Sequence, residues 1–226
     1  MSSKFSSVIG LLSTIVTTTV CINIHCNKSK YIEYDKVNIE SCNRLIKAKL
    51  SEKRYIHCQN VSKEAIKLAE KYGADVKKAE IAGLLHDITK EFNVAQHLKI
   101  FKMYNIKLKD IERLSFKLWH AISGSQYIRN VLKVCDKDIL NAVRYHTTAR
   151  KGMSTLEKII FIADFISEDR DFEGVEKLRE LAYIDLNKTV LEGLKFTIDV
   201  LILKNQQIHE DTIFAYNELV KNRKGE

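Results

Sequence analysis

The chain has 226 residues, 45% of them hydrophobic, no proline, and a formal charge of +8 from 37 Lys plus Arg against 29 Asp plus Glu. That length holds one domain with a sizeable core and a short appendage. The missing helix breaker, beside abundant Leu, Ile, Lys, Glu and Ala, predicts an all-α fold and argues against strands. The positive balance suits a polyanionic partner but does not choose between nucleotide, nucleic acid and an anionic membrane surface, and scattered lysines also serve solubility.

Residues 8–24, VIGLLSTIVTTTVCINI, form an uncharged run of seventeen, rich in threonine and β-branched residues and short for spanning a bilayer. Lys4 is the one charge before it and no A-x-A pattern follows, so a secretory signal is not expected. Three readings stay open for residues 1–37: a weak membrane anchor, a disordered tail, or codons upstream of a start near Val37. The five cysteines (Cys21, Cys26, Cys42, Cys58, Cys135) are odd in number and form no C-x-x-C pair, which fits a reducing cytoplasm without a disulfide framework or zinc knuckle.

The expected domain runs from 38 to 222. Ile39, Leu45, Ile46 and Leu50 recur at helical spacing between Asn38 and Ser51, and the next helix spans about Arg54 to Tyr72, stopping at Gly73 and putting Arg54 and His57 on one face. Asp75 is a natural N-cap for a helix reaching about Lys90, with an apolar stripe of Ile81, Leu84, Leu85 and Ile88. Ala79, Ala82, Gly83, His86, Asp87 and Lys90 make a second stripe, which reads as a face for close approach to something charged.

Asn93 with Gln96 starts a further helix, and 121–132 and 137–145 read as two more, with His120 at the head of the first and His146 at the tail of the second. Ser154-Thr155-Leu156-Glu157 is a capping box for a helix through about Ser167, in which Asp164 interrupts an apolar run from Ile159 to Ile166. A carboxylate buried there is costly unless paired or bound to metal. After Glu168-Asp169-Arg170-Asp171, helices near 173–183, 186–204 and 209–222 read as packing.

A lone helical histidine is more often structural than a ligand, and His97 and His209 are set aside on that ground. The ordered set His57, His86-Asp87, His120, His146 and Asp164 carries more weight, because six such side chains from separate helices can converge inside a bundle. Neutral imidazoles with carboxylates suit divalent Fe, Mn, Co, Ni or Zn, and a carboxylate can bridge two ions.

The order H…HD…H…H…D resembles the HD-domain superfamily of metal-dependent phosphohydrolases. More narrowly, Arg54-Tyr55-Ile56-His57, Gly83-Leu84-Leu85-His86-Asp87-Ile88-Thr89-Lys90, Tyr145-His146-Thr147-Thr148, the run Leu156 to Asp164 and Asp169-Arg170-Asp171-Phe172-Glu173-Gly174-Val175 are similar to the YqeK family, over about residues 38–222. This resemblance implies an HD helical bundle that cleaves diadenosine tetraphosphate symmetrically to two ADP with bound iron, in the cytoplasm and without nucleic-acid binding. The metal ligands would be His57, His86, Asp87 and Asp164. His120 and His146 would either complete a second ion bridged by Asp87 or face phosphate and assist proton transfer.

Asp87 and Lys90 are the expected catalytic residues. Arg54, His57, Lys90, His120, His146, Thr147, Thr148 and Arg170 are the expected substrate contacts. For Arg54 and Lys90 the bland alternative is a salt bridge on a solvated helix face. Two residues depart from the family: Ala149 stands where glycine is usual, and Lys151 where proline is common. The competing functions are an HD phosphohydrolase for another nucleotide and a nucleotide-binding HD module without turnover.

Overall fold

In the computed structural model, which describes residues 30–223, seven of the described helices begin at a residue whose side chain caps them. α1 (Ile39–Lys49) follows Asn38, whose side chain accepts from the Ser41 N–H; α2 (Glu52–Tyr72) follows Ser51 and stops at Gly73, whose φ of +64° is the left-handed conformation glycine tolerates. α3 (Val76–Leu85) starts at Asp75, and α4 (Val94–Met103) at the Asn93/Gln96 capping box. α5 (Asp110–Leu114), α6 (Trp119–Asn130) and α7 (Lys137–Tyr145) precede α8 (Thr155–Ile166), which opens on the Ser154/Glu157 box. α9 (Val175–Ala182), α10 (Leu186–Leu203) and α11 (Glu210–Arg223) complete the bundle. Among the described residues there is no strand, only an isolated bridge between Ile32 and Val134.

The expected helices form close to their expected limits, with one consequential exception. α3 ends at Leu85 instead of running to Lys90, and residues 86–91 form successive tight turns. Here the N–H groups of Ile88, Lys90 and Phe92 bond three residues back, to the carbonyls of Leu85, Asp87 and Thr89. His86 Nδ1 lies 2.7 Å from the Gly83 carbonyl, the acceptor a continued helix would offer to the Asp87 N–H. Thr89 is held from the other side, its hydroxyl donating to the His120 carbonyl at 2.9 Å. α5 and the two short 3-10 turns at Tyr34–Lys36 and Phe116–Leu118 were not expected, being too short to show a period.

α2, α3 and α8 pack on one another, α7 lies against α3 and α8, α6 against α7, and α10 covers α8 and α9. Its position between neighbours on several sides explains why α8 carries an almost unbroken apolar run, with Ile159, Ile160, Phe161, Ile162 and Ile166 all buried. Within the small-residue stripe of α3, Gly83 serves this packing. A Cβ on Gly83 would stand 2.6 Å from the Ser62 Cα, so the backbones of α2 and α3 are in direct contact there, beside a 3.0 Å bond from the Ser62 hydroxyl to the Glu80 carbonyl.

His97 and His209, set aside by sequence, are both buried. His97 is buried among Phe92, Phe101, Phe116 and Trp119 with Nδ1 2.8 Å from the Ser123 hydroxyl, and His209 accepts the Asp211 N–H. Residues 32–37, grouped with the tail by sequence, lie on the bundle: the Ile32 N–H donates to the Lys133 carbonyl at 2.7 Å and the Tyr34 hydroxyl to Asp75 at 2.7 Å. The apolar run 8–24 lies outside the described residues, and among those described no helix is long and apolar enough to cross a membrane.

Candidate metal centre

Five helices bring the six sequence-selected ligand candidates to one buried place. His57 projects from the second turn of α2, His86 and Asp87 from the turn that ends α3, His120 from the first turn of α6, His146 from the residue after α7, and Asp164 from α8. Three overlapping sets have ligand atoms within 4.8 Å of one another: His57, His86 and Asp87; His86, His146 and Asp164; Asp87, His120 and His146. Asp87 belongs to two sets, the position of a bridging carboxylate. His146 also reaches the set containing Asp164, so it is not confined to the second-ion side that the sequence suggested.

The histidines are oriented by their far nitrogens. His86 Nδ1 and His146 Nδ1 each lie 2.7 Å from the carbonyl three residues earlier, Gly83 and Val143, while His57 Nδ1 lies 2.8 Å from Asp169 Oδ2. When those nitrogens carry the proton, each Nε2 presents a lone pair inward, the arrangement of metal-ligating histidines.

The inner atoms then conflict unless something positive joins them. His57 Nε2 and Asp164 Oδ1 stand 3.0 Å apart, and His120 Nε2 is 3.1 Å from both His146 Nε2 and Asp87 Oδ1. His57 Nε2, His86 Nε2 and Asp87 Oδ1 are buried without a hydrogen bond. Acceptors facing one another in a dry pocket are costly. A divalent cation resolves the conflict, so the donor set fits a metal.

The protonation states agree. Burial pushes both carboxyls up, yet His86 and His120 hold Asp87, and His57, His86 and Arg170 hold Asp164, well below the usual carboxylate range. Burial, helped by the nearby Lys90 charge and opposed by Asp87, pushes His120 down to about 4, leaving its imidazole neutral at neutral pH.

Cations rim the site. Arg54 Nη1 donates to Asp87 Oδ2 at 2.8 Å; Lys90 Nζ is 3.0 Å from His120 Nε2 and 3.5 Å from Asp87 Oδ1; Arg170 pairs with the Asp164 carboxylate through Nη2 and donates from Nε to its carbonyl at 2.8 Å. Both arginines therefore contact ligand carboxylates, with 28% and 38% of their side chains exposed. The Thr148 hydroxyl is turned inward onto the Ala149 carbonyl at 2.9 Å, and Thr147 Oγ1 is buried without a partner. Ala149 has φ +54°, the conformation glycine takes freely and alanine at a cost of about 1 kcal/mol, which accounts for glycine being usual at this place in the family it resembles.

Asp169 is the site residue that sequence reasoning missed. Its signal was a carboxylate five residues beyond Asp164, just past the helix end, but nothing local ties it to His57, 112 residues earlier in the chain.

The HD domain pattern matches residues 54–169, just over half of the chain and every one of the six converging residues. The chain belongs to the HD-domain family. Such domains are metal-dependent, and the three ligand sets supply what one needs.

The chain is similar to the "Bis(5'-nucleosyl)-tetraphosphatase, symmetrical" of Halalkalibacterium halodurans, at 42% identity over 181 residues, covering 80% of this chain and 96% of that protein. It is similar to the protein of the same description from Bacillus subtilis at 41% over 184 residues, covering 81% and 98%. A crystal structure from Clostridium acetobutylicum, described as an HD superfamily hydrolase involved in NAD metabolism, shares the fold at a TM-score of 0.79 and 38% identity, covering 82% of this chain and 98% of that one.

Proposed function

We propose that this HD domain is a symmetrical bis(5'-nucleosyl)-tetraphosphatase, hydrolysing diadenosine tetraphosphate to two ADP. The observation that carries the chemistry is the convergence of buried, unbonded His57 Nε2, His86 Nε2 and Asp87 Oδ1 beneath a rim of Arg54, Lys90 and Arg170. The substrate is carried by the named activity of relatives about 40% identical over nearly their whole length.

His57, His86, Asp87 and Asp164 would hold the metal, with His120 and His146 available to a second ion around Asp87. Iron is the proposed ion, with Mn, Co, Ni or Zn as the chemically related options. When bound, a divalent ion supplies Lewis acidity, which acidifies water and draws charge from a phosphoryl oxygen.

The remaining work falls to the chain's own groups. Water adds to an inner phosphorus of the tetraphosphate and the central P–O–P bond breaks, so that each half leaves as ADP. Lys90, beside Asp87 and His120, stands where its ammonium offsets the negative charge that grows on the departing phosphate. If instead a single ion is held, His120, neutral at working pH, is free to accept a proton at Nε2. Arg54 and Arg170 hold the ligand carboxylates and leave their exposed edges to the phosphate chain. We assign this catalytic unit to residues 38–222 and its operation to the cytoplasm.

The test is incubation of metal-analysed protein with diadenosine tetraphosphate and separation of the products. Two ADP per substrate, lost on chelation, is the expected result. AMP with ATP would refute symmetrical cleavage, and no turnover with metal bound would refute the substrate.

A further inference from the structure

Among the histidines of the candidate metal centre, three have a visible Nδ1 partner, and two of these find it in their own chain segment. His86 and His146 use the carbonyl three residues back, which local backbone geometry supplies. His57 cannot do this, because it lies inside α2, where those carbonyls are engaged in the helix ladder. Its partner is Asp169, 112 residues away, which also accepts from Asn60 Nδ2 at 3.3 Å. The orientation of this one ligand therefore depends on where the turn after α8 is held.

That turn is held by Arg179 on α9. The last carbonyls of a helix have no partner within it. Arg179 Nε donates to the Ile166 carbonyl at 2.9 Å, and its Nη2 to the carbonyls of Ser167 at 2.9 Å and Arg170 at 2.7 Å. The remaining nitrogen, Nη1, pairs with Glu176 one turn earlier on α9. A guanidinium beside a helix C-terminus is also favoured by the helix dipole. The three carbonyls bracket Asp169 and Arg170, whose side chains contact His57 and Asp164 respectively. Two consecutive residues of one short turn thus touch the metal centre, and one side chain holds the turn at its start and at its end. Arg179 lies beyond the segment 54–169 matched by the HD domain pattern.

We infer that Arg179 is a positioning residue for the metal centre, acting through Asp169 to set the direction and tautomer of His57. This rests on the metal-centre reading above. The clamp matters because a hydrogen-bond partner on the outer nitrogen of a metal-bound histidine contributes about 10–100-fold to metal affinity.

The experiment titrates the full chain with Mn²⁺ alone, in wild type, Asp169→Asn, Arg179→Met and the double variant, and follows the His57 ring nitrogens by NMR in the same proteins before metal is added. Asp169→Asn is expected to weaken Mn²⁺ binding by about 10–100-fold and to abolish the single His57 tautomer. Arg179→Met, which keeps the aliphatic stem, is expected to weaken it about 10-fold in the same direction. The double variant should lose no more than Asp169→Asn, because the two residues act in series. Arg179→Lys, able to make only part of the clamp, should fall between wild type and Arg179→Met and guards against a misfolded methionine variant.

Wild-type affinity and an unchanged His57 signal in both Arg179 variants would reduce Arg179 to a helix cap and overturn the inference while leaving the metal centre intact. Additive losses in the double variant would overturn the route through Asp169. Wild type that binds no Mn²⁺ would overturn the metal centre itself, and this inference with it.

Discussion

Gly83→Ala joins the packing of the fold to the chemistry of the site. The added methyl would stand 2.6 Å from the Ser62 Cα and 3.1 Å from its N, both backbone atoms that no rotamer change can move. Reaching 3.4 Å, where contact becomes ordinary, requires α2 and α3 to part by about 0.8 Å. Overpacking of this kind costs about 1–3 kcal/mol, against about 1 kcal/mol gained from placing alanine in a helix interior. The net expectation is a destabilisation of up to about 2 kcal/mol, visible as a lower urea midpoint with an unchanged slope.

The second consequence is functional. α2 carries His57, and the turn ending α3 carries His86 and Asp87, so the same displacement spreads the ligand set. Ligand distances in metal sites tolerate only about 0.2 Å. Metal retained after dialysis should fall more sharply than stability does. Gly193→Ala serves as the comparison, since its Cβ would meet side-chain atoms alone, the Phe161 ring edge at 3.2 Å and Ile162 Cδ1 at 3.5 Å. An unchanged urea midpoint together with wild-type metal content in Gly83→Ala would refute the close α2–α3 contact as the element that sets ligand spacing.

Asp87→Ala and Asp164→Ala should abolish turnover and lower bound metal while far-UV circular dichroism keeps its helical amplitude; full activity in either purified variant would remove the proposed site. Lys90→Ala should lower kcat by about 10²-fold with metal content unchanged, as expected for one electrostatic contact to developing charge, and metal loss instead would make Lys90 structural. Glu112 provides a test of acid stability away from the site. Burial pushes its carboxyl up, but His209, the Lys109 N–H and Arg144 bring it down from 4.5 to about 2. Its folded-state pKa lies below the unfolded one, so it contributes stability above about pH 4.5 that is lost as pH falls toward 2, on the order of 2–3 kcal/mol. Glu112→Gln should therefore be less stable than wild type at pH 7 and equally stable near pH 2; an equal gap at both would refute the assignment.

The sequence by itself determined where most of the longer helices start and picked out the six residues that converge as ligand candidates. Capping residues at Asn38, Ser51, Asp75, Asn93, Asp136 and Ser154 act within three residues of themselves, so helix starts are local facts. Asp164 and the His86-Asp87 pair were legible for a chemical reason, since a carboxylate inside the apolar run of α8 and an adjacent His-Asp pair are too costly to bury without a purpose, whereas His57, His120 and His146 gained weight only from their order along the chain.

Tertiary structure alone decided what these residues face. It ended α3 at Leu85, because the His86 ring competes for the Gly83 carbonyl and Thr89 is anchored to α6, neither of which periodicity registers. It turned the small-residue stripe at Gly83 toward α2, turned Arg54 and Arg170 onto ligand carboxylates, and turned the Thr148 hydroxyl back onto its own chain. It also recruited Asp169 to His57. A side chain's type shows that it needs a partner, but hydrogen bonds act over about 3 Å, and only the folded chain brings residues 57 and 169 within that distance.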